Sequence, residues 1–347
     1  MLLNTRMFLL LTAVLAAGSL AAAPAKKGHK DHKATVESTG SVPAVLWRSP
    51  AGISSRDLYY GPGGKEDQPQ GPFTFVKEDL DGSNPKFVVH DDSGVKWKVK
   101  LGEEARPETA ASRFVWSIGY FANEDYFLSE LQVQGMPVHL HRGQKLVRPG
   151  GVVHAVRLKR YLKGEEKVGT WRWRQDPFTG TRELNGLRVL MAVINNWDLK
   201  DENNAAYEED SRRVADSPQM VYLISDLGSS FGTAGPAWPH AKAKGNLDSY
   251  VRSKFITKVT PEYVDFQEPA RPSYQFLLNL PEYFRRRGLE WIGRRIPRSD
   301  ARWVGQLLAQ LSPSQIRDAF RASGFSPEEV EGFAQVMERR ITALTEL

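Results

Sequence analysis

Hydrophobic and polar positions alternate with a period of two over residues 73–76, 86–90 and 96–101. That period places successive side chains on opposite faces and predicts three strands. Asp91-Asp92-Ser93-Gly94 supplies a turn between the second and third. Pro107 then opens a stretch, residues 108–118, that Gly119 closes. Proline at the start and glycine just past the end predict a helix there. Residues 126–133 and 152–162 read as two more strands, so the first half runs β-β-β-α-β-β. In the second half the period changes. Leu184, Leu187, Leu190, Met191 and Ile194 form a helical stripe within 181–195, and residues 220–224 read as a short buried strand. Three helices are expected at 300–311, 313–322 and 327–344, the last two opened by Ser312-Pro313 and Ser326-Pro327.

The first 72 residues lack this order. Residues 1–25 carry Arg6, an apolar run from Met7 to Ala17, and small residues ending in Ala23 and Ala25. This is the three-part pattern of a secretory signal peptide, and it predicts an exported, periplasmic or secreted chain with no stable membrane span after cleavage. Residues 26–41 are charged without apolar periodicity and read as a flexible tether in which His29 and His32 are solvated. Gly61-Pro62-Gly63-Gly64, Pro69 and Pro72 mark turns up to residue 72. The glycine cluster lacks the Lys-Ser/Thr ending of a P-loop and reads as a loop. The expected division is 1–25 signal peptide, 26–72 tether and extension, 73–165 small lobe and 166–347 helical lobe.

Composition narrows the chemistry. The 347 residues are 41% hydrophobic and 25% charged, with no cysteine. Disulfides, thiol catalysis, zinc–thiolate sites and iron–sulfur clusters are thereby excluded. An exported chain without cysteine fits a bacterial source. The net charge of +6 is too diffuse to indicate nucleic-acid binding.

The chemistry-bearing residues lie in two segments. Asn196-Trp197-Asp198-Leu199-Lys200-Asp201-Glu202-Asn203 follows the apolar helix. Ser225-Asp226-Leu227-Gly228 follows the short strand Val221-Tyr222-Leu223-Ile224. Helix, D-L-K-x-x-N loop, strand and D-L-G in that order resembles the catalytic core of the protein-kinase-like superfamily. The resemblance implies that Asp198 orients or deprotonates an acceptor hydroxyl. It also implies that Asn203 and Asp226 hold the Mg²⁺ or Mn²⁺ bridging the phosphates of ATP. Carboxylates would repel a transferring phosphoryl group, so they act through divalent cations, which prefer hard oxygen ligands.

Upstream, the same resemblance calls for a strand lysine that binds phosphates and a glutamate on the next helix that holds it. Lys98 and Lys100 share one face of the third strand, and Lys100 is nearer the helix. Lys100 is the first choice and Lys98 the second, with Glu108 as partner ahead of Glu104. Asn196-Trp197 stand where His-Arg is usual, D-L-G replaces D-F-G, and Asp79-Leu80-Asp81-Gly82-Ser83-Asn84 replaces a glycine-rich phosphate loop. These departures resemble the atypical branches: secretory-pathway, spore-coat, HipA-type and phosphoinositide kinases. The implied fold is α+β and bilobal, a small antiparallel β lobe with one helix and a larger, mostly helical lobe.

The implied function is metal-dependent phosphoryl transfer to an unknown hydroxyl acceptor: protein, lipid or sugar. An inactive kinase-like module of the cell envelope is the first alternative. A carbohydrate- or surface-binding protein using exposed Trp171 and Trp173 is the second, although packing between lobes is the commoner fate of such residues. His139 and His141 read as loop or edge-strand surface. Arg157, Lys159 and Arg160 read as a solvated strand edge, and Arg285-Arg286-Arg287 with Arg294-Arg295 as a solvated helix face. Gly228 to Gly235 reads as the start of an activation-type segment.

Overall fold

The structure, a computed structural model, describes residues 42–209, 218–232, 244–267 and 280–347. The expected signal peptide, the tether with His29 and His32, and residues 233–235 of the activation-type segment lie outside the described residues. Among the described residues no helix is long and apolar enough to cross a membrane.

The elements in the first half are β1 (Ala44–Val45), β2 (Phe73–Asp79), β3 (Lys86–His90), β4 (Lys96–Lys100), α1 (Ala105–Ser117), β5 (Asp125–Gln134), β6 (Val147–Arg148) and β7 (Val152–Arg160). The second half holds β8 (Glu165–Gly169), α2 (Arg182–Val193), β9 (Asn204–Glu209), β10 (Gln219–Ile224), α3 (Leu247–Arg252), β11 (Ile256–Val259), β12 (Tyr263–Phe266), α4 (Leu280–Arg287), β13 (Ile296–Pro297), α5 (Arg298–Leu308), α6 (Pro313–Arg321) and α7 (Pro327–Thr345). The class is mixed α+β, as the sequence patterning predicts. Helix α1 begins two residues ahead of Pro107 rather than at it.

The small sheet runs β4-β3-β2-β5-β7-β6, and β4 also pairs with β7. Five strands therefore close on themselves. One of the pairings, β2 with β5, is parallel through Phe73↔Val133 and Thr74↔Gln134, so the lobe is not wholly antiparallel. The reason lies in the connection, which passes through β3, β4 and α1 before the chain returns as β5 beside β2. The alternation seen in the sequence separates two faces. Phe87, Val89, Trp97, Val99, Val156 and Leu158 fill an apolar interior. The other face carries the cross-strand rows Lys86↔Lys100↔Arg157 and Val88↔Lys98↔Lys159.

A second sheet, β1-β10-β9-β8, includes a strand from ahead of residue 72. Residues 42–72 are mostly loop, yet they are packed: Leu46, Ile53 and Leu58 are buried in the main core, and Gln315 donates to the carbonyls of Ile53 and Arg56 at 2.9 and 2.8 Å. Trp171 and Trp173 are buried, and the Trp171 indole donates to the Leu223 carbonyl at 2.9 Å. Packing, not exposure, is their role, which removes the observation the surface-binding alternative needs. The α6 and α7 starts carry capping boxes from Ser312 with Gln315 and Ser326 with Glu329.

Candidate active site

Lys100 ends β4 on the charged face. Gly102, at φ +87°, allows the tight turn into α1, so Glu104 and Glu108, one helical turn apart, face back onto the strand they follow. The Lys100 ammonium lies 2.7 Å from Glu108 Oε2, 3.1 Å from Glu104 Oε2 and 3.1 Å from Asp226 Oδ1. Lys100 and Glu108 are 3% and 1% exposed. Burial alone would pull the ammonium down, but Glu108 and then Asp226 outweigh it and hold Lys100 above its ordinary value. Burial likewise opposes the Asp226 charge, yet Lys100 and the Gly228 N–H keep that carboxyl at about 2.

The expected pair Lys100–Glu108 is thus formed, and Glu104 joins it rather than replacing it. Asn84 and Lys244 both donate to Glu104 as well. A Cβ at Gly228 would lie 2.7 Å from the Glu104 Cβ, so the D-L-G segment approaches α1 only because residue 228 is glycine. Lys98 does not enter this cluster; its ammonium pairs with Asp79 Oδ2 at 2.8 Å.

Arg157 corrects the solvated-edge expectation. It is 3% exposed, donates to Glu108 Oε1 at 2.7 Å and lies 3.5 Å from Asp125 Oδ1. Its register opposite Lys100 turns it inward, and Glu108, between two cations, is neutralised from both sides. The signal was available only through strand pairing, since alternation alone does not say which face is covered.

Below the sheet, two loops are joined by backbone hydrogen bonds. The Ser225 and Asp226 N–H groups donate to the Asn203 carbonyl at 2.8 and 3.2 Å, and Trp197 N–H to the Ser229 carbonyl at 3.1 Å. The Asn203 side-chain amide donates to the Asp198 carbonyl at 2.6 Å, and Asn196 Oδ1 accepts from Asp198 N–H at 3.0 Å. Asp198, Asn203 and Asp226, distant in sequence, are so fixed in one place. Asp198 Oδ1 is paired with Lys200 at 3.2 Å and with Arg286 at 3.1 Å. Arg286 is largely buried, its guanidinium 5.0 Å from the Trp197 ring centroid, and Arg285 pairs with Glu202. The expected solvated arginine face is therefore partly a lining of this site, a placement that helix periodicity does not reveal. His141, exposed, pairs with Glu78 at 2.9 Å, as a surface loop residue would.

The donor set suits a hard divalent cation at the lower loops. With its amide nitrogen committed to Asp198, Asn203 presents Oδ1, and Asp226 presents its second carboxylate oxygen. The three carboxylates of Glu104, Glu108 and Asp226 also lie within 4.8 Å of one another, but the Lys100 ammonium touches all three and is their counter-ion.

No protein-family model matches the chain, and no curated protein matches it. Among solved structures it is similar to the Helicobacter pylori proinflammatory kinase CtkA, at 11% identity and a TM-score of 0.42, over 79% of this chain and 95% of that one. The Golgi casein kinase is similar at 11% identity and a TM-score of 0.30, over 79% and 76%. The Rio2 kinase from Chaetomium thermophilum, in complex with ADP, Mg²⁺ and phosphoaspartate, is similar at 12% identity and a TM-score of 0.26, over 78% and 72%.

Proposed function

We propose that the chain is an exported kinase-like phosphotransferase, bilobal in the manner of that superfamily, using ATP with Mg²⁺ or Mn²⁺ and a hydroxyl acceptor. One observation carries this reading: a buried ammonium, Lys100, held between the helix carboxylate Glu108 and the loop carboxylate Asp226, which is itself tied to the Asp198–Asn203 loop. In this reading Lys100 binds the α- and β-phosphates and Glu108, braced by Arg157, orients it. Asn203 and Asp226 hold the divalent ion, whose charge offsets that of the transferring group. Asp198 orients the acceptor hydroxyl and takes its proton as the new oxygen–phosphorus bond forms and the bond to the ADP leaving oxygen breaks.

The inactive-module reading has one observation in its favour: Asp198 is held by two cations, Lys200 and Arg286. The two readings part on metal-dependent nucleotide turnover. The test is thermal unfolding of the chain with ATP and Mg²⁺ or Mn²⁺, beside Asp226→Ala. Ligand at 100 times its dissociation constant stabilises by about 2.7 kcal/mol, a rise of several degrees. A metal-dependent rise lost in the variant, with ATP turnover lost alongside, supports phosphotransfer. A rise without turnover selects the inactive module, and no rise with any nucleotide removes the phosphotransferase assignment.

A further inference from the structure

The charged face of the closed sheet holds more cations than the Lys100 site uses. Strand register sets Asp79, Lys86, Lys100 and Arg157 in one row across β2, β3, β4 and β7, and Lys98 and Lys159 in the next. Three of these five cations are ion-paired with carboxylates and a fourth donates to a neutral hydroxyl. Lys100 and Arg157 are paired with Glu104, Glu108, Asp125 and Asp226. Lys159 donates to the Tyr207 hydroxyl at 3.1 Å. Lys98 is held by Asp79 at 2.8 Å, and of the anions acting on Lys86 the same carboxylate acts most strongly. One carboxylate thus serves two lysines, an excess of positive charge on a surface that adjoins Lys100.

The loop above that surface, residues 80–85, does not build a backbone phosphate cradle. Pro85 has no N–H, the Asp81 N–H is taken by Asp79 Oδ1 at 3.0 Å, and Asp81 adds negative charge. Gly82, at φ +62°, lies directly over Lys86: a Cβ there would be 3.6 Å from the Lys86 ammonium. Arg142 holds the Gly82 carbonyl and Asn84 holds Glu104, so the loop is fastened as a cover over the lysines.

We propose that Lys86 and Lys98 are a second phosphate-binding pair, taking the terminal phosphate of a polyphosphate chain whose inner phosphates sit on Lys100, and that Asp79 is the resident anion this chain displaces. The inference deepens the phosphotransferase reading and rests on it for the identity of the ligand as a nucleoside triphosphate. Side-chain ammonium groups do here what loop amides do in a glycine-rich cradle. Asp79 offsets part of the pair's positive charge until the ligand arrives.

The test is calorimetric binding of two probes to the full chain: inorganic tripolyphosphate without metal, and ATP with Mg²⁺. The variants are Lys86→Gln, Lys98→Gln, Lys98→Arg and Asp79→Asn. Each glutamine variant should weaken tripolyphosphate binding by about tenfold or more, the scale of one charge-assisted contact. Lys98→Arg should restore most of the loss, and Asp79→Asn should tighten binding. Each glutamine variant should also flatten the salt dependence of binding. Tripolyphosphate affinities equal to wild type in both glutamine variants, with Asp79→Asn no tighter, would overturn the proposal while leaving ATP binding through Lys100 intact. Wild-type protein that binds tripolyphosphate through these lysines but not ATP would support the pair and overturn the nucleotide reading. Binding of neither probe overturns both.

Discussion

Two buried regions of this protein are built on opposite physics. Between α1, α3, α6 and α7, the rings of Phe114, Phe231, Tyr250, Phe320 and Phe333 are fully buried, with Phe320 and Phe333 stacked at 5.1 Å and Phe231 set edge-on to Phe320 at the same distance. Each such ring removes some 150–250 Å² of apolar surface from water, and the geometry adds to that. Beneath β4 and β7, Lys100, Glu108, Arg157 and Asp125 are equally buried, yet taking each charge from water costs several kcal/mol that the pairing only offsets. The first region stabilises the fold. The second costs it stability, which on the proposed phosphotransferase reading is accepted for chemistry. The regions meet at Phe231. Five residues beyond Asp226, at φ +54°, it inserts into the aromatic cluster and donates its N–H to the Ile194 carbonyl at 2.8 Å, so the aromatic core anchors the D-L-G segment.

The comparison breaks most visibly under truncation. Phe333→Ala should destabilise by about 3–5 kcal/mol through the cavity it leaves. Glu108→Ala should cost up to ~3–5 kcal/mol for the opposite reason, because it removes the carboxylate that Lys100 and Arg157 share and leaves only Glu104, Asp226 and Asp125 to offset two buried cations. Denaturant unfolding measures both. Lys100→Met separates the regions: Asp226 loses its counter-ion, but Glu108 keeps Arg157 at 2.7 Å and Glu104 keeps Lys244, so the loss should be smaller than that of Glu108→Ala while nucleotide turnover disappears. A Lys100→Met protein as unstable as Glu108→Ala would mean that the lysine is structural, and the contrast between the regions would fail.

A smaller effect tests whether the helical lobe is independent of the site. Ser326→Ala removes a hydroxyl that accepts from the Glu329 N–H at 3.2 Å, and should cost about 1 kcal/mol. The ATP-dependent rise in unfolding midpoint should be the same as in wild type. A diminished rise would show that α7 transmits to the site.

The two regions also differ in how far they can be read from sequence. The α6 and α7 boundaries follow from Ser-Pro pairs and the apolar period, because capping and helix periodicity are local. Strands β3 and β4 follow from alternation within short segments, whereas the Lys100–Glu108 pair and the joining of Asp198, Asn203 and Asp226 are expected only through the resemblance to kinase-like cores. What spacing could not show was set by pairing between distant strands. Closure of β4 on β7 turns Arg157 inward, the parallel β2–β5 contact depends on the whole intervening connection, and Lys98 is diverted from the site by Asp79 on a strand two away. Arg286 reaches Asp198 from 88 positions further along, a tertiary contact with no local signature. Strands β8, β9 and β11 to β13 are only two to six residues long, too short for a periodic pattern to stand out.

The smallest expected effect concerns acid. Asp226 is held at about 2 against an ordinary 3.8, so its ion pair with Lys100 stabilises the fold fully above pH 4 and is lost as the pH falls through the interval down to about 2. Its side chain is 36% exposed, so solvent screens the pair and the contribution is modest. Compared with wild type, Asp226→Asn should lose stability at neutral pH but converge with it toward pH 2, a difference that unfolding midpoints across pH 2–7 would record. Nothing in the aromatic region titrates in that range, so Phe333→Ala should instead keep a constant offset from wild type throughout. Parallel acid curves for Asp226→Asn and wild type would place the Lys100 charge on Glu104 and Glu108 alone.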